Sequence, residues 1–178
     1  MERISGYESA SDMVNASSIK FFKSYLGAIE KNKHYHFWSG GQWNMQDLLV
    51  YVLGITGPAN VYLTTYAISE DAVISLINLR DKKAIRDLQC IFDYKCKEQK
   101  GKSYLLARNN FSVTLSRIHA KVSIIENADW KITITGSANW TRNPRAERQV
   151  LCTVPQIVEG DLKIVKQIIN GEMPFKVR

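Results

Sequence analysis

The chain has 178 residues, 45% apolar and 23% charged, with a formal net charge of +7. That length buries one sizeable core without disulfide or metal staples, so a single domain over 1–178 is expected, with 1–32 as a helical extension packed on it. No run approaches the ~18 apolar residues of a membrane span, and residues 1–15 lack a basic and then apolar leader, so a cytoplasmic, membrane-free protein is expected.

The span 17–31 sets Ile19, Phe22, Leu26 and Ile29 at helical spacing and predicts an amphipathic helix. His34 to Trp38 reads as an aromatic strand ending at Gly40-Gly41. A buried helix is expected from Met45 to Leu53, stopped by Gly54 and the Gly57-Pro58 turn. A β-branched core strand follows over 61–68, and Ser69 is placed to cap a helix over 70–78. Residues 86–94 alternate as a second core strand, and the basic stretch 96–109 reads as partly helical. Three strand-like runs come next, at 112–115, 118–125 and 130–135, the last two joined by a turn as an antiparallel hairpin. A further strand is expected over 148–154 and a closing helix over 160–170. Strands alternate with helices early and pair with one another late. The pattern predicts an α/β fold, a mixed β-sheet flanked by helices on both faces.

Three cysteines (Cys90, Cys96, Cys152) have no metal-ligand spacing and read as reduced thiols. The basic balance favours a polyanionic partner, without naming it.

The chemistry concentrates in 117–150. His119 and Lys121 are two apart on an expected strand and so share one face. Ser137 and Asn139 bear the same relation at the end of the next strand, after Gly136. If the hairpin pairs as read, both pairs converge at one end of the sheet, and Glu147 returns to the same place. Such a set holds a nucleophile or base, a fixed cation, hydroxyl and amide donors, and a carboxylate that can fix the His119 tautomer.

His119-Ala120-Lys121 followed by Gly136-Ser137-Ala138-Asn139 and Glu147 resembles the HKD motif of the phospholipase D superfamily. In length and in the order of its elements the chain resembles the small single-motif, nuclease-like members more than the large two-motif lipases. Glu126 stands where the family has aspartate, generally outside the reaction centre, and the spacer from Lys121 to Gly136 is slightly long. The resemblance implies a metal-independent phosphodiesterase, with His119, Lys121, Ser137, Asn139 and Glu147 as site residues and no cofactor. One histidine attacks phosphorus while a second protonates the leaving oxygen, and water then cleaves the phosphohistidine. The motif supplies one such histidine, and neither His34 nor His36 lies in a comparable pattern, so a homodimer with two motifs across its axis is expected.

Trp140, Arg142, Arg145 and Arg148 border the motif and are assigned to nucleic-acid binding, with packing the alternative for Trp140 and a solvated face for the arginines. Trp38 is read as core. His34 and His36 lack a third metal ligand, and Lys95, Lys97, Lys100 and Lys102 read as a solvated face with a share in a diffuse groove. The expected function is a nuclease on DNA or RNA, with a single strand among the candidate substrates. The alternatives are a non-catalytic nucleic-acid-binding or scaffolding member of the same fold and, less favoured, a phospholipid hydrolase.

Overall fold

The computed structural model describes residues 16–99, 101–142 and 144–172. Residues 1–15 of the N-terminal extension, the Ile19 side chain and Lys100 lie outside the described residues. In chain order the elements are α1 (Ala16–Tyr25), β1 (His34–Ser39), α2 (Met45–Thr56), β2 (Ala59–Thr65), α3 (Glu70–Asp81) and β3 (Ile85–Asp93). They continue with α4 (Tyr94–Gln99), α5 (Gly101–Asn110), β4 (Ser112–Ser116), β5 (Val122–Glu126), β6 (Lys131–Gly136), β7 (Glu147–Cys152) and α6 (Pro155–Ile169).

The seven strands form one sheet in the order β1-β7-β6-β5-β2-β3-β4. The β2–β3 and β3–β4 pairs are parallel, and the other four are antiparallel. Both faces are covered, as strands of alternating or continuous apolar character require. Phe22 of α1, the apolar residues of α2, Val73, Leu76 and Leu79 of α3, and Tyr104 and Ala107 of α5 pack in one cluster with Phe37, Val61, Leu63, Ile125, Ile134 and Leu151. On the other face Val158, Leu162, Val165 and Ile168 of α6 pack with Tyr62, Ile91 and Ile124.

Several boundaries differ from the sequence expectation for local reasons. The first helix stops at Tyr25, because Gly27 takes a left-handed conformation (φ 58°) that ends the turn. Leu26 and Ile29 are still buried, from the connecting segment. The closing helix begins at Pro155, five residues before the expected start, since proline fits a first helical turn with no side-chain cap to announce it. Helix α2 starts on a reciprocal cap: Asn44 Oδ1 accepts from Asp47 N at 3.0 Å and Asp47 Oδ2 from Asn44 N at 3.2 Å. Ser69 caps α3 as expected, its Oγ accepting from Ala72 N at 3.3 Å.

Among the described residues no helix is long and apolar enough to cross a membrane.

Phe22 is fully buried against Trp43 and Tyr51, with ring centroids 5.3 Å away in both cases. Phe22→Ala should therefore cost about 3–5 kcal/mol, the scale of a large-to-small change in a packed core. Urea unfolding monitored by circular dichroism measures this; a cost below about 1 kcal/mol would mean that α1 contributes little to the core.

Candidate active site

The site forms at the end of the sheet where β2 and β6 leave it and β5 and β7 enter. His119 and Lys121 occupy an extended lead-in to β5, outside the strand itself, which begins at Val122. The ladder stops there because the Thr64 hydroxyl replaces it: Thr64 Oγ1 donates to Ala120 O at 2.8 Å and accepts from Val122 N at 3.0 Å. The expected strand over 118–125 is thus shorter by a physical substitution of side chain for backbone. His119 and Lys121 nevertheless lie together. Lys121 Nζ donates to His119 O at 2.8 Å and stands 3.2 and 3.3 Å from the two ring nitrogens of His119. An ammonium has protons and no lone pair, so whichever ring nitrogen it bonds acts as an acceptor.

The second pair arrives on the neighbouring strand. Gly136 N donates to Lys121 O at 3.3 Å, which brings the exit of β6 against the entry of β5. Ser137 Oγ donates to Glu147 Oε2 and accepts from Arg148 N, the latter at 3.1 Å. Asn139 Oδ1 lies 3.2 Å from Thr65 Oγ1 and shares that hydroxyl's single proton with Ala67 O at 2.8 Å, so its amide hydrogens remain the donors of that group. The five motif residues therefore come together at one end of the sheet. Glu147, expected to fix the His119 ring, is held by the Ser137 hydroxyl. Glu126 sits at the far end of β5, where it accepts from Tyr62 OH at 3.3 Å and pairs with Lys166 at 3.6 Å.

Burial holds the Lys121 ammonium below the usual lysine range, and the neighbouring Glu147 carboxylate works in the opposite direction. A partly desolvated cation is a stronger electrostatic partner for a phosphoryl oxygen than a solvated one.

Two aromatic expectations are corrected. Trp140 is 1% exposed and belongs to the core, so no base can stack on it. Trp38 is 59% exposed, because strand alternation turns Phe37 and Ser39 inward and Trp38 outward. Of the arginines, Arg142 and Arg145 are exposed in the loop after Trp140, and Arg148 is exposed on β7. His36 Nδ1 meets Arg148 NH2 at 2.9 Å, and His34 Nε2 lies 3.9 Å from Cys152 Sγ. Among the described residues no group of three or more His, Cys, Asp or Glu is arranged to hold a metal.

The structure adds neighbours that the motif does not announce. The Tyr66 ring lies 5.1 Å from that of His119, with Lys121 Nζ 5.8 Å and Lys95 Nζ 5.9 Å from its centroid. Asp93 accepts from Ile118 N at 3.1 Å and anchors the approach to His119. Tyr66 directly follows β2 and Asp93 ends β3, two strand ends beside the site; that placement was the available signal.

Lys121 yields a sign that can be measured. The titration of Lys121, followed through its 13Cε resonance, should have a midpoint below the ordinary lysine value of about 10.4. Glu147→Gln removes the influence that raises it, so the midpoint should fall further. A rise in Glu147→Gln would contradict this electrostatic picture.

No protein-family model matches the sequence, and no curated protein sequence does. Solved structures do resemble the fold. Nuc, a phospholipase D family member from Salmonella typhimurium, aligns with a TM-score of 0.58 at 16% identity over 82% of this chain and 99% of its own. Polyphosphate kinase from Porphyromonas gingivalis aligns with a TM-score of 0.63 at 16% identity, over 99% of this chain but only 31% of that enzyme. TrmBL2, an archaeal chromatin protein with a novel mode of DNA binding, aligns with a TM-score of 0.54 at 9% identity, over 85% of this chain and 59% of its own. Likeness at these identities speaks to architecture, and the architecture of this chain is the phospholipase D fold.

Proposed function

We propose that the protein is a metal-independent nuclease that cleaves a phosphodiester through a phosphohistidine. The observation that carries this reading is the meeting of His119, Lys121, Ser137, Asn139 and Glu147 at one end of the sheet. A phosphate placed there meets an imidazole nitrogen, an ammonium and amide hydrogens at once. In the first step a His119 ring nitrogen forms a bond to phosphorus as the bond to the leaving oxygen breaks, and a second imidazolium gives that oxygen its proton. In the second step the same second imidazole takes a proton from water, and the hydroxyl oxygen displaces His119 from phosphorus. Lys121 and Asn139 stabilise the equatorial oxygens as charge builds. Ser137 and Glu147 hold the entry of β7 against the exit of β6.

The second histidine must come from elsewhere. His34 and His36 lie on β1 at the sheet edge, engaged with Cys152 and Arg148. A two-fold homodimer that faces two copies of His119 provides the missing group. Nucleic acid is the favoured substrate: the chain carries +7, and exposed arginines follow the motif. Three buried cysteines without disulfides suit a reducing, cytoplasmic setting. A non-catalytic binding role is the second reading, since the likeness to TrmBL2 extends over most of this chain.

Purified protein should cleave single-stranded DNA or RNA in the presence of EDTA, and His119→Ala should abolish the cleavage. Lys121→Met should slow it by roughly 10²–10³-fold, the scale of losing one charge-stabilising donor. Cleavage that disappears on chelation defeats the metal-free mechanism, and binding without cleavage favours the second reading. Sedimentation should give a dimer; a monomer that still turns substrate over defeats the shared site.

A further inference from the structure

The indole of Trp38 is the largest exposed aromatic surface beside the site. The other described tryptophans are differently placed: Trp43 and Trp140 are buried, and Trp130 is partly buried beneath Lys31 Nζ, 5.4 Å from its ring. Trp38 stands near the end of β1, an edge strand, directly across from Arg148 of β7. Directly opposed residues of an antiparallel pair project to the same face with their Cβ atoms roughly 4.5–5.5 Å apart. His36, two residues earlier on that face, is bonded through Nδ1 to Arg148 NH2 at 2.9 Å, so the guanidinium is held on the face that carries the indole. The backbone N of the same Arg148 donates to Ser137 Oγ, and its carbonyl accepts from Ser137 N, both at 3.1 Å. One cross-strand step therefore separates the exposed indole from the residue that is bonded to the motif serine. Helix α6, which covers this face, packs on β6, β5 and β4 and leaves the β1 margin open.

We propose that Trp38 is a stacking platform for an unpaired nucleobase, with Arg148 contacting the phosphate between that base and the scissile bond. The inference rests on the nuclease reading and extends it: the substrate is a single strand, and it crosses the β7–β1 margin on leaving the site. An indole face accepts any base, whereas a duplex keeps its base faces covered, so the platform selects unpaired nucleic acid without reading sequence. The neighbours of Trp38 decide against a second protein copy as occupant. They are a guanidinium and imidazoles rather than an apolar patch, and a two-fold contact at this margin would set Arg148 close to its own counterpart. A polyanion answers that charge.

The test measures affinity in the absence of cleavage. His119→Ala protein is titrated into a labelled oligothymidylate and into the same strand carrying abasic sites, alone and combined with Trp38→Ala or Trp38→Phe. Stacking predicts that Trp38→Ala weakens oligothymidylate binding by roughly 5- to 150-fold, the equivalent of about 1–3 kcal/mol per base. Trp38→Phe should retain most of the affinity, and the abasic strand should bind equally to Trp38→Ala and its parent. Equal affinity of parent and Trp38→Ala for oligothymidylate overturns the proposal. So does an equal loss on both strands, and so does conversion of a dimer to a monomer by Trp38→Ala. Cleavage by wild-type protein, and its loss in His119→Ala, is scored separately, so the platform can fail while the nuclease reading stands. If no single strand binds or is cleaved at all, both fail together.

Discussion

Position 136 has no room for a side chain, and the site depends on that. A Cβ on Gly136 would overlap the Gln149 side chain and the carbonyl of Arg148. Close approach of the two backbones is what glycine permits there. Because β6 can lie so near β7, Gly136 N reaches Lys121 O at 3.3 Å while Ser137 N reaches Arg148 O at 3.1 Å. Three chain segments are thereby joined at one point by backbone bonds alone: the lead-in to β5, the exit of β6 and the entry of β7. Gln149 completes the junction from beneath. Its buried amide, oriented by its hydrogen bonds, donates to Thr135 O at 3.2 Å and accepts from Ala138 N at 3.0 Å. The side chains of the motif then need no long reach to meet.

Much of this arrangement was legible in the residues. Runs of apolar, aromatic and β-branched residues located all the described strands, and the turn-forming segment between two of them identified the hairpin that leads from His119 to Ser137. What these runs could not reveal was the point at which a ladder gives way to side-chain bonding. The Thr64 hydroxyl that takes over at Ala120 and Val122 lies 56 and 58 residues away in sequence. The same applies to Thr65, which holds Asn139 from 74 residues away. Tertiary partners of this kind leave no local pattern. The motif, by contrast, is a local pattern of chemistry, and it announced its five residues without indicating that Glu147 would be taken up by Ser137.

Trp38 and Trp140 show how period and position can outweigh residue type. Both are tryptophans, and indoles are highly buried on average. On β1 the alternation commits Tyr35, Phe37 and Ser39 to one face and His34, His36 and Trp38 to the other, and the second face is open at the sheet margin. Reading Trp38 as core followed its side chain; reading the strand's alternation would have placed it outside. Trp140 lies in a loop, where no period applies, and its burial follows from backbone bonds to a distant segment.

Those bonds divide the site into a fixed part and an open part. Trp140 N donates to Ala67 O at 3.2 Å, Trp140 O accepts from Ser69 N at 2.8 Å, and the indole fills the core beneath. The chain that leaves β6 is therefore tied to the chain that leaves β2 immediately after Asn139. Everything that would grip a phosphate, from His119 to Asn139, lies before this tie or is bonded across it. Beyond it, Arg142 and Arg145 stand exposed before β7 begins at Glu147. Catalysis by electrostatic stabilisation requires donors whose positions are set before the charge develops. Retention of a flexible polymer requires cations that can follow its backbone. On the proposed reading, burying Trp140 meets the first requirement, and the exposed Arg142 and Arg145 that follow it are placed to meet the second. An indole spent on stacking at position 140 would have given up the anchor, whereas the indole at position 38, on an edge strand already held by its ladder to β7, can face solvent without loosening the site.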